Sequence, residues 1–119
     1  MIVTVADIVK HLGLTVVTER ASLTATISGG YTADLLSCVM AKAQPGNVWV
    51  TLQAHPNVIA VASLLNLSGV VITEGNSVDQ PTIEKADQEG IPLLTTPLTS
   101  YSVVERLSAL GIHGIDYTS

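Results

Sequence analysis

The chain has 119 residues, a length that suits one hydrophobic core and excludes two independent domains. Hydrophobic residues make up 47% of the chain and charged residues only 13%, and we expect a two-sided sheet core and a homodimer interface to cover the apolar surface. The net charge of −5, with five scattered lysines and arginines, excludes nucleic-acid binding, which needs clustered cations.

The sequence also predicts where the protein resides. No apolar run approaches the roughly eighteen residues that a membrane span requires. The first residues lack the basic segment of a secretory signal peptide. The single cysteine, Cys38, excludes an internal disulfide and is expected to be a core thiol rather than a nucleophile. We therefore expect a cytoplasmic protein without a membrane partner.

The first quarter of the chain predicts one helix and two strands. The helix is expected from Val5 to Leu12, because Thr4 is a good N-cap and Gly13 suits the position after the last turn. A β-branched strand is expected over residues 14–18. Residues 22–28 alternate between apolar and polar side chains, which predicts a half-exposed strand at a sheet edge.

The next elements follow a pair of glycines. Gly29-Gly30 is interpreted as a break, after which a second helix starts at Thr32 or Ala33 and runs to residue 43. The turn at residues 45–47 then leads into a buried strand over residues 48–52.

Helices and strands alternate in the remainder of the chain, with short connections between them. The expected elements are a helix from Pro56 to about Asn66, a strand over residues 70–73, a helix between Asp79 and Gly90, a strand over residues 91–95, and a helix over residues 100–110 capped by Thr99 and ended by Gly111.

This order of elements predicts the fold class. From residue 48 onward the pattern is β-α-β-α-β-α, which means parallel strands joined by helices on both sheet faces. We expect a three-layer α/β/α fold with a mostly parallel sheet. It forms a single domain over residues 4–111, and residues 112–119 are expected to be a C-terminal tail.

A candidate binding site follows from this fold. Ligands of open parallel sheets bind outside the carboxyl ends of the strands, close to helix N-termini. The polar residues expected there are rich in hydroxyls and amides, which suits hydrogen bonding to a polar or phosphate-bearing ligand rather than proton transfer. They are Gln53, His55, Asn57, Thr73, Gly75, Thr95 and Thr96. Helix capping explains the threonines as well as ligand binding does, so both interpretations stay open.

Sequence signatures of enzymes are missing. The chain has no Gly-x-x-x-x-Gly-Lys-Ser/Thr loop and no Gly-x-Ser-x-Gly motif, and its three histidines lack metal-ligand spacing. Asp34 is expected in the first turn of the second helix, where a carboxylate stabilises the helix dipole. Four further acids are interpreted as solvated charges on exposed helix faces: Glu84, Asp87, Glu89 and Glu105. We predict no catalytic residue, no metal and no cofactor.

Several segments resemble a known family. The runs 31–40, 46–53 and 57–62 are similar to small stand-alone DRTGG-domain proteins, and residues 4–14 and 90–99 are similar to the N-terminal domain of HPr kinase/phosphorylase. The resemblance implies the α/β fold and a non-catalytic regulatory domain. DRTGG domains accompany CBS domains in some pyrophosphatases, where the combined region responds to adenine nucleotides.

The motif of that family is only partly present. Gly46-Asn47-Val48 stands where the family pattern has Gly-Asp-Arg, and Thr73-Glu74-Gly75 stands where it has Thr-Gly-Gly. The resemblance therefore implies site residues at only three positions of this chain, Gly46, Thr73 and Gly75.

Three functional hypotheses result. The first is a regulatory or signalling module that binds a small polar ligand, which includes nucleotides and phosphorylated compounds, or a protein partner. The alternative is a scaffolding subunit of a larger enzyme complex that has no ligand of its own. The third is an enzyme that uses Cys38 or His55.

Overall fold

The computed structural model describes residues 2–116, which contain five strands and five helices. The strands are β1 (Thr15–Val16), β2 (Gly29–Thr32), β3 (Asn47–Thr51), β4 (Gly69–Ile72) and β5 (Leu93–Thr95). The helices are α1 (Val5–Leu12), α2 (Leu36–Lys42), α3 (Pro56–Leu64), α4 (Gln80–Glu89) and α5 (Ser100–Ala109).

The strands form one sheet between two helical layers, in the order β1-β5-β4-β3-β2. Strands β2 to β5 are parallel, whereas the short β1 pairs antiparallel with β5. Successive side chains of β3 point to opposite faces, so Trp49 packs with α2, α3 and α4 while Val48 and Val50 pack with α1 and α5. The predicted three-layer α/β/α fold with a mostly parallel sheet is confirmed.

The helix ends follow the predicted capping residues. The Thr4 hydroxyl accepts from the Asp7 backbone N–H at 3.3 Å, and the Asp7 carboxylate accepts from the Thr4 N–H at 2.9 Å. Gly13 ends α1 in the left-handed conformation. The side chains of Asp79 and Thr99 cap α4 and α5 in the same manner. These predictions are confirmed because a cap depends on residues within one helical turn.

The expected strand over residues 22–28 is wrong. Within it only Thr26 forms an isolated bridge, with Thr4. The carbonyls of Leu23 and Ala25 instead accept from the first N–H groups of α1, and the Ile27 N–H donates to the Val3 carbonyl. The alternating pattern therefore reflects packing of this segment against the start of α1 rather than a place in the sheet.

The expected break at Gly29-Gly30 is also wrong, because both residues belong to β2. A Cβ added to Gly29 would lie 2.9 Å from the His113 carbonyl oxygen, and the Gly30 N–H donates to that same oxygen at 2.8 Å. These glycines permit a close approach of the C-terminal segment to an edge strand.

The second helix begins later than predicted, at Leu36. The residues before it are tied to β3: the Trp49 indole N–H donates to the Ala33 carbonyl at 2.8 Å, and the Asp34 carboxylate accepts from Thr51. Asp34 therefore lies in the loop before α2 and not in its first turn.

Asp87 is not the solvated charge that its sequence position suggested. Its carboxylate accepts hydrogen bonds from three consecutive backbone N–H groups, those of Glu19, Arg20 and Ala21. Desolvation raises the pKa of Asp87, but these N–H groups outweigh it, so the pKa of Asp87 lies below its ordinary value. Asp87 thus attaches the loop after β1 to α4.

The segment after α5 lies against the domain as far as it is described. Ile112 is buried in the same apolar cluster as α1 and α5, and the His113 carbonyl accepts from β2. Residues 117–119 of the expected tail lie outside the described residues. In the described part of the chain no helix is long and apolar enough to cross a membrane.

Candidate functional site

Polar loops gather at one edge of the sheet. The register places Thr51 beside Ile72 and Ile72 beside Thr95, so β3, β4 and β5 end at the same edge. This is the edge at which open α/β sheets bind ligands. The candidate residues occupy two separate places along it.

The first place is a cleft of about 410 Å³ between the loops that enter α2 and α3. We call it the Asp34 cleft. Its lining consists of Asp34, Leu35, Leu36, Ser37, Gln53, His55, Asn57 and Val58. The structure thus brings together three of the predicted site residues and adds Asp34 and Ser37 to them.

Asp34 is a cleft residue that sequence analysis missed. Its Oδ1 atom accepts from the Thr51 hydroxyl at 2.8 Å and from the Leu52 N–H at 3.0 Å. Thr51 is buried, so this carboxylate is held in one orientation at the cleft. The only sequence signal was a lone acid directly before the apolar pair Leu35-Leu36, which a helix N-terminus explains equally well.

His55 has a structural role beside its place in the cleft. It is the N-cap of α3, and its Nδ1 atom accepts from the Asn57 N–H at 3.1 Å. Nδ1 therefore carries no proton, and the ring presents its Nε2 atom as the N–H donor. The cap therefore determines that His55 offers an N–H donor, and not a nitrogen acceptor, to the cleft.

The remaining polar side chains of the cleft have unused hydrogen-bonding capacity. The side chains of Gln53, Asn57 and Ser37 are exposed. Among residues 2–116 none of the three side chains makes a hydrogen bond to another residue. Two amides and one hydroxyl are therefore available to a ligand at this point.

The second place is the turn Thr73–Asn76, which we call the Thr73 turn. The Asn76 N–H donates to the Thr73 carbonyl at 3.2 Å, and both central residues are left-handed, with φ of 65° at Glu74 and 71° at Gly75. These values fit a type I′ turn, which favours glycine at both central positions. The glutamate at position 74 is therefore backbone-strained where the family motif has a glycine.

The polar groups of the Thr73 turn bind to one another and to the protein. The buried Thr73 hydroxyl lies 2.6 Å from the Ser100 hydroxyl, and the Glu74 carboxylate accepts from the Ser100 N–H at 2.8 Å. The Gly75 N–H donates to the Thr96 carbonyl at 3.1 Å, and the Thr96 hydroxyl accepts from the Leu98 N–H at 3.2 Å. Most of these polar groups are therefore already used within the protein.

The space beside this turn is small. Gly75, Thr95 and Thr96 line a shallow depression of about 180 Å³, which shares no lining residue with the Asp34 cleft. Thr73 lines neither. The seven residues predicted as one site are thus divided between a cleft, a depression and the buried Thr73.

The two parts of the family motif lie at opposite ends of the sheet. Gly46 precedes β3, whereas Thr73 follows β4 beside the end of β3, so about 20 Å of strand separates them at about 3.3 Å per residue. A Cβ at Gly46 would lie 2.7 Å from the Ser28 hydroxyl oxygen, and Val48 is fully buried. Gly46 and Val48 therefore serve packing, and position 48 cannot present a side chain to a phosphate.

A third concavity, of about 370 Å³, lies between β2 and α5 and contains none of the predicted residues. Its walls are largely apolar, with Val50, Leu107 and Ile112 at its base. It offers few partners for a polar ligand. No group of three or more metal-ligating side chains is assembled among residues 2–116.

Comparison with known proteins identifies the domain. The DRTGG domain family model matches residues 7–110. No curated protein matches the chain. A similar solved structure contains the CBS and DRTGG domains of the regulatory region of Clostridium perfringens pyrophosphatase, complexed with its activator diadenosine tetraphosphate.

The likeness to that structure concerns the fold. The TM-score is 0.73 at 15% sequence identity, and the match covers 98% of this chain and 53% of the pyrophosphatase chain. This chain therefore spans about half the length of that regulatory region. The family match covers most of the sequence and the same fold recurs in a solved DRTGG-containing region, so the chain belongs to the DRTGG domain family.

Proposed function

We propose that this domain is a non-catalytic regulatory module that binds a small polar ligand in the Asp34 cleft. The observation that carries the proposal is the unused hydrogen-bonding capacity of Gln53, Asn57 and Ser37 at the ligand-binding edge of the sheet. The family supports the regulatory role, since the similar pyrophosphatase region is itself regulatory and was solved with an activator.

The use of the ionisable groups in the cleft supports a role without catalysis. His55 uses Nδ1 to cap α3, and Asp34 uses Oδ1 to bind Thr51 and Leu52. The hydroxyl that Asp34 binds belongs to the fully buried Thr51, and in the described chain neither Asp34 nor His55 is hydrogen-bonded to the other or to a thiol. Covalent catalysis would require an accessible nucleophile within hydrogen-bonding reach of such a base.

A thermal-shift screen against nucleotides and phosphorylated or amino metabolites, followed by calorimetry, tests this function. We expect a hit to lose affinity about fivefold in Asn57→Ala and in Gln53→Ala, since one hydrogen bond of a ligand contributes about 1 kcal/mol. Gln88→Ala is the matched control, because Gln88 is an exposed amide on α4 outside the cleft. Equal affinities in the Asn57 variant and the control would contradict binding in the cleft.

A second candidate, the scaffolding subunit, is supported by exposed apolar side chains. Tyr101 is 83% exposed, Leu64 67% and Leu35 63%. Such residues are common at protein interfaces when they cluster. A stable complex in co-purification from the native cell, together with no response in the ligand screen, would favour this candidate over the regulatory one.

We also propose that the protein is a cytoplasmic homodimer. The low charged fraction of 13% and the exposed apolar residues support the dimer, and the single cysteine, Cys38, supports a reducing compartment. Light scattering at micromolar concentration is expected to give twice the monomer mass, and a monomer mass would contradict it. Recovery of the protein from a membrane or extracellular fraction would contradict the location.

A further inference from the structure

The charges of the Asp34 cleft restrict the class of ligand. Among residues 2–116 no lysine or arginine lines the cleft, and the only acidic lining residue is Asp34. We propose that the cleft binds a small organic cation, an ammonium or guanidinium group carried on an apolar body, rather than a phosphate. This inference rests on the proposed function of the cleft and names its ligand class.

The cation would bind the free oxygen of Asp34. Oδ1 is occupied by the Thr51 hydroxyl and the Leu52 N–H, whereas Oδ2 makes no hydrogen bond to another residue in the described chain. An ionised carboxylate that is already oriented forms short, charge-assisted hydrogen bonds with N–H donors at low entropic cost. Gln53 and Asn57, which lie at the entry to α3, supply amide oxygens to the same cleft.

The N-terminus of α3, one of the two helix N-termini at the cleft, does not offer the donors that a phosphate needs. The first residue of α3 is Pro56, which has no N–H. The Asn57 N–H donates to His55 Nδ1, and the Val58 N–H donates to the His55 carbonyl at 2.9 Å. A phosphate in the cleft would lie beside the Asp34 carboxylate, where the two negative charges repel each other.

The apolar wall of the cleft would contact the apolar body of the proposed ligand. Leu35 is 63% exposed at the rim, and Leu36 and Val58 form the wall beside it. A short aliphatic chain would cover part of this surface while its charged end reaches Asp34. Burial of apolar area contributes about 25 cal/mol per Å², so a few methylene groups add measurable affinity.

Two-dimensional ¹⁵N NMR titrations with agmatine and with inorganic phosphate, at matched ionic strength, test the inference. The backbone amides of Leu52 and Asn57 are the reporters, because the Leu52 N–H donates to Asp34 and the Asn57 N–H donates to His55. We expect agmatine to shift both resonances saturably and phosphate to leave them unchanged.

Variants link the shifts to the proposed contacts. Asp34→Asn keeps an acceptor for Thr51 and Leu52 but removes the charge, and we expect at least about a tenfold loss of agmatine affinity. Glu84→Gln is the control for net charge, since Glu84 is exposed on α4, and it should bind as the native protein does. Leu35→Ser should weaken binding about threefold through lost apolar contact.

The outcomes separate the two proposals. Saturable shifts by phosphate at the same resonances would keep the cleft as a site and overturn the cation. If Asp34→Asn had a native-like spectrum and bound agmatine with unchanged affinity, that result would also contradict the proposed cation site. No shift with either probe would overturn the cation, and the metabolite screen would then decide the proposed function independently.

Discussion

The Asp34 cleft and the Thr73 turn lie at the same edge of one sheet and contain similar polar residues, but they use them differently. In the turn and beside it, the side chains of Thr73, Glu74 and Thr96 all bind groups within the protein. In the cleft, the amides of Gln53 and Asn57 bind no other described residue.

The difference shows what makes a polar edge a binding site. Hydroxyls and amides that satisfy one another stabilise the loops, and a ligand could bind them only by breaking these bonds. Polar groups that are exposed and unpaired lose only water on binding. The composition of the edge does not distinguish the two cases, whereas the hydrogen-bond partners do.

The largest effect is expected from Thr73→Val. The substitution removes the fully buried Thr73 hydroxyl and with it the bond to the half-buried Ser100 hydroxyl. The free energy of unfolding should fall by about 2 kcal/mol, within the range for a buried hydrogen-bonding group. Urea denaturation measures this change. A stability within about 0.5 kcal/mol of the native protein would show that the turn does not depend on the bond.

Glu74 tests the strain in the turn through a pair of variants. Glu74→Gly relieves the left-handed backbone but removes the bond to the Ser100 N–H, so its stability should change by no more than about 1 kcal/mol. Glu74→Val removes the same bond and adds a β-branched side chain at positive φ, so it should be about 1–2 kcal/mol less stable than Glu74→Gly. Equal stabilities in urea denaturation would contradict the strained conformation.

Variants of His55 test its structural role as the N-cap of α3. His55→Ala removes the cap of α3 and should destabilise the domain by about 1 kcal/mol. His55→Asn supplies another good cap and should restore most of that loss in thermal unfolding. If both variants were equally unstable, the contribution of His55 would come from a contact other than the cap.

Acid titration tests carboxylates that lie outside both the Asp34 cleft and the Thr73 turn. The stability of the protein should not change near neutral pH. Hydrogen bonds from Thr4 and from Thr82 hold the pKa values of Asp7 and Asp79 below the ordinary 3.8, and the pKa of Asp87 is lowered as well. A lowered folded-state pKa adds stability that is present above pH 3.8 and is lost as the pH falls through the folded value. The melting temperature should therefore fall below about pH 4.

Asp87→Asn tests whether the Asp87 carboxylate contributes to this loss of stability in acid. The variant lacks one carboxylate of lowered pKa, so its melting temperature should fall less between pH 5 and pH 2 than that of the native protein. Identical pH profiles would show that the bonds from the N–H groups of Glu19, Arg20 and Ala21 do not stabilise the fold.

The sequence predicted features that depend on local chemistry. The caps Thr4, Asp79 and Thr99 and the apolar runs of β3 and β4 are each explained by residues within a few positions of one another. The order of elements then determined the parallel sheet and the edge at which polar loops gather.

Features that depend on distant partners could not be predicted. Asp34 is held by Thr51, 17 residues later, and Thr73 is held by Ser100, 27 residues later. Gly29 is a glycine because His113 approaches it, which no local pattern indicates. For the same reason the sequence could not show that Thr73 and Asn57 belong to different places.

The central claim is that the Asp34 cleft, and not the Thr73 turn, is the binding surface of this edge. Crystals of the protein soaked with a library of small polar fragments test it most directly, because the experiment presupposes no ligand. Fragments are expected in the cleft, in contact with Asp34 and Asn57. Fragments bound beside Gly75 and Thr96 with the cleft empty would contradict the account.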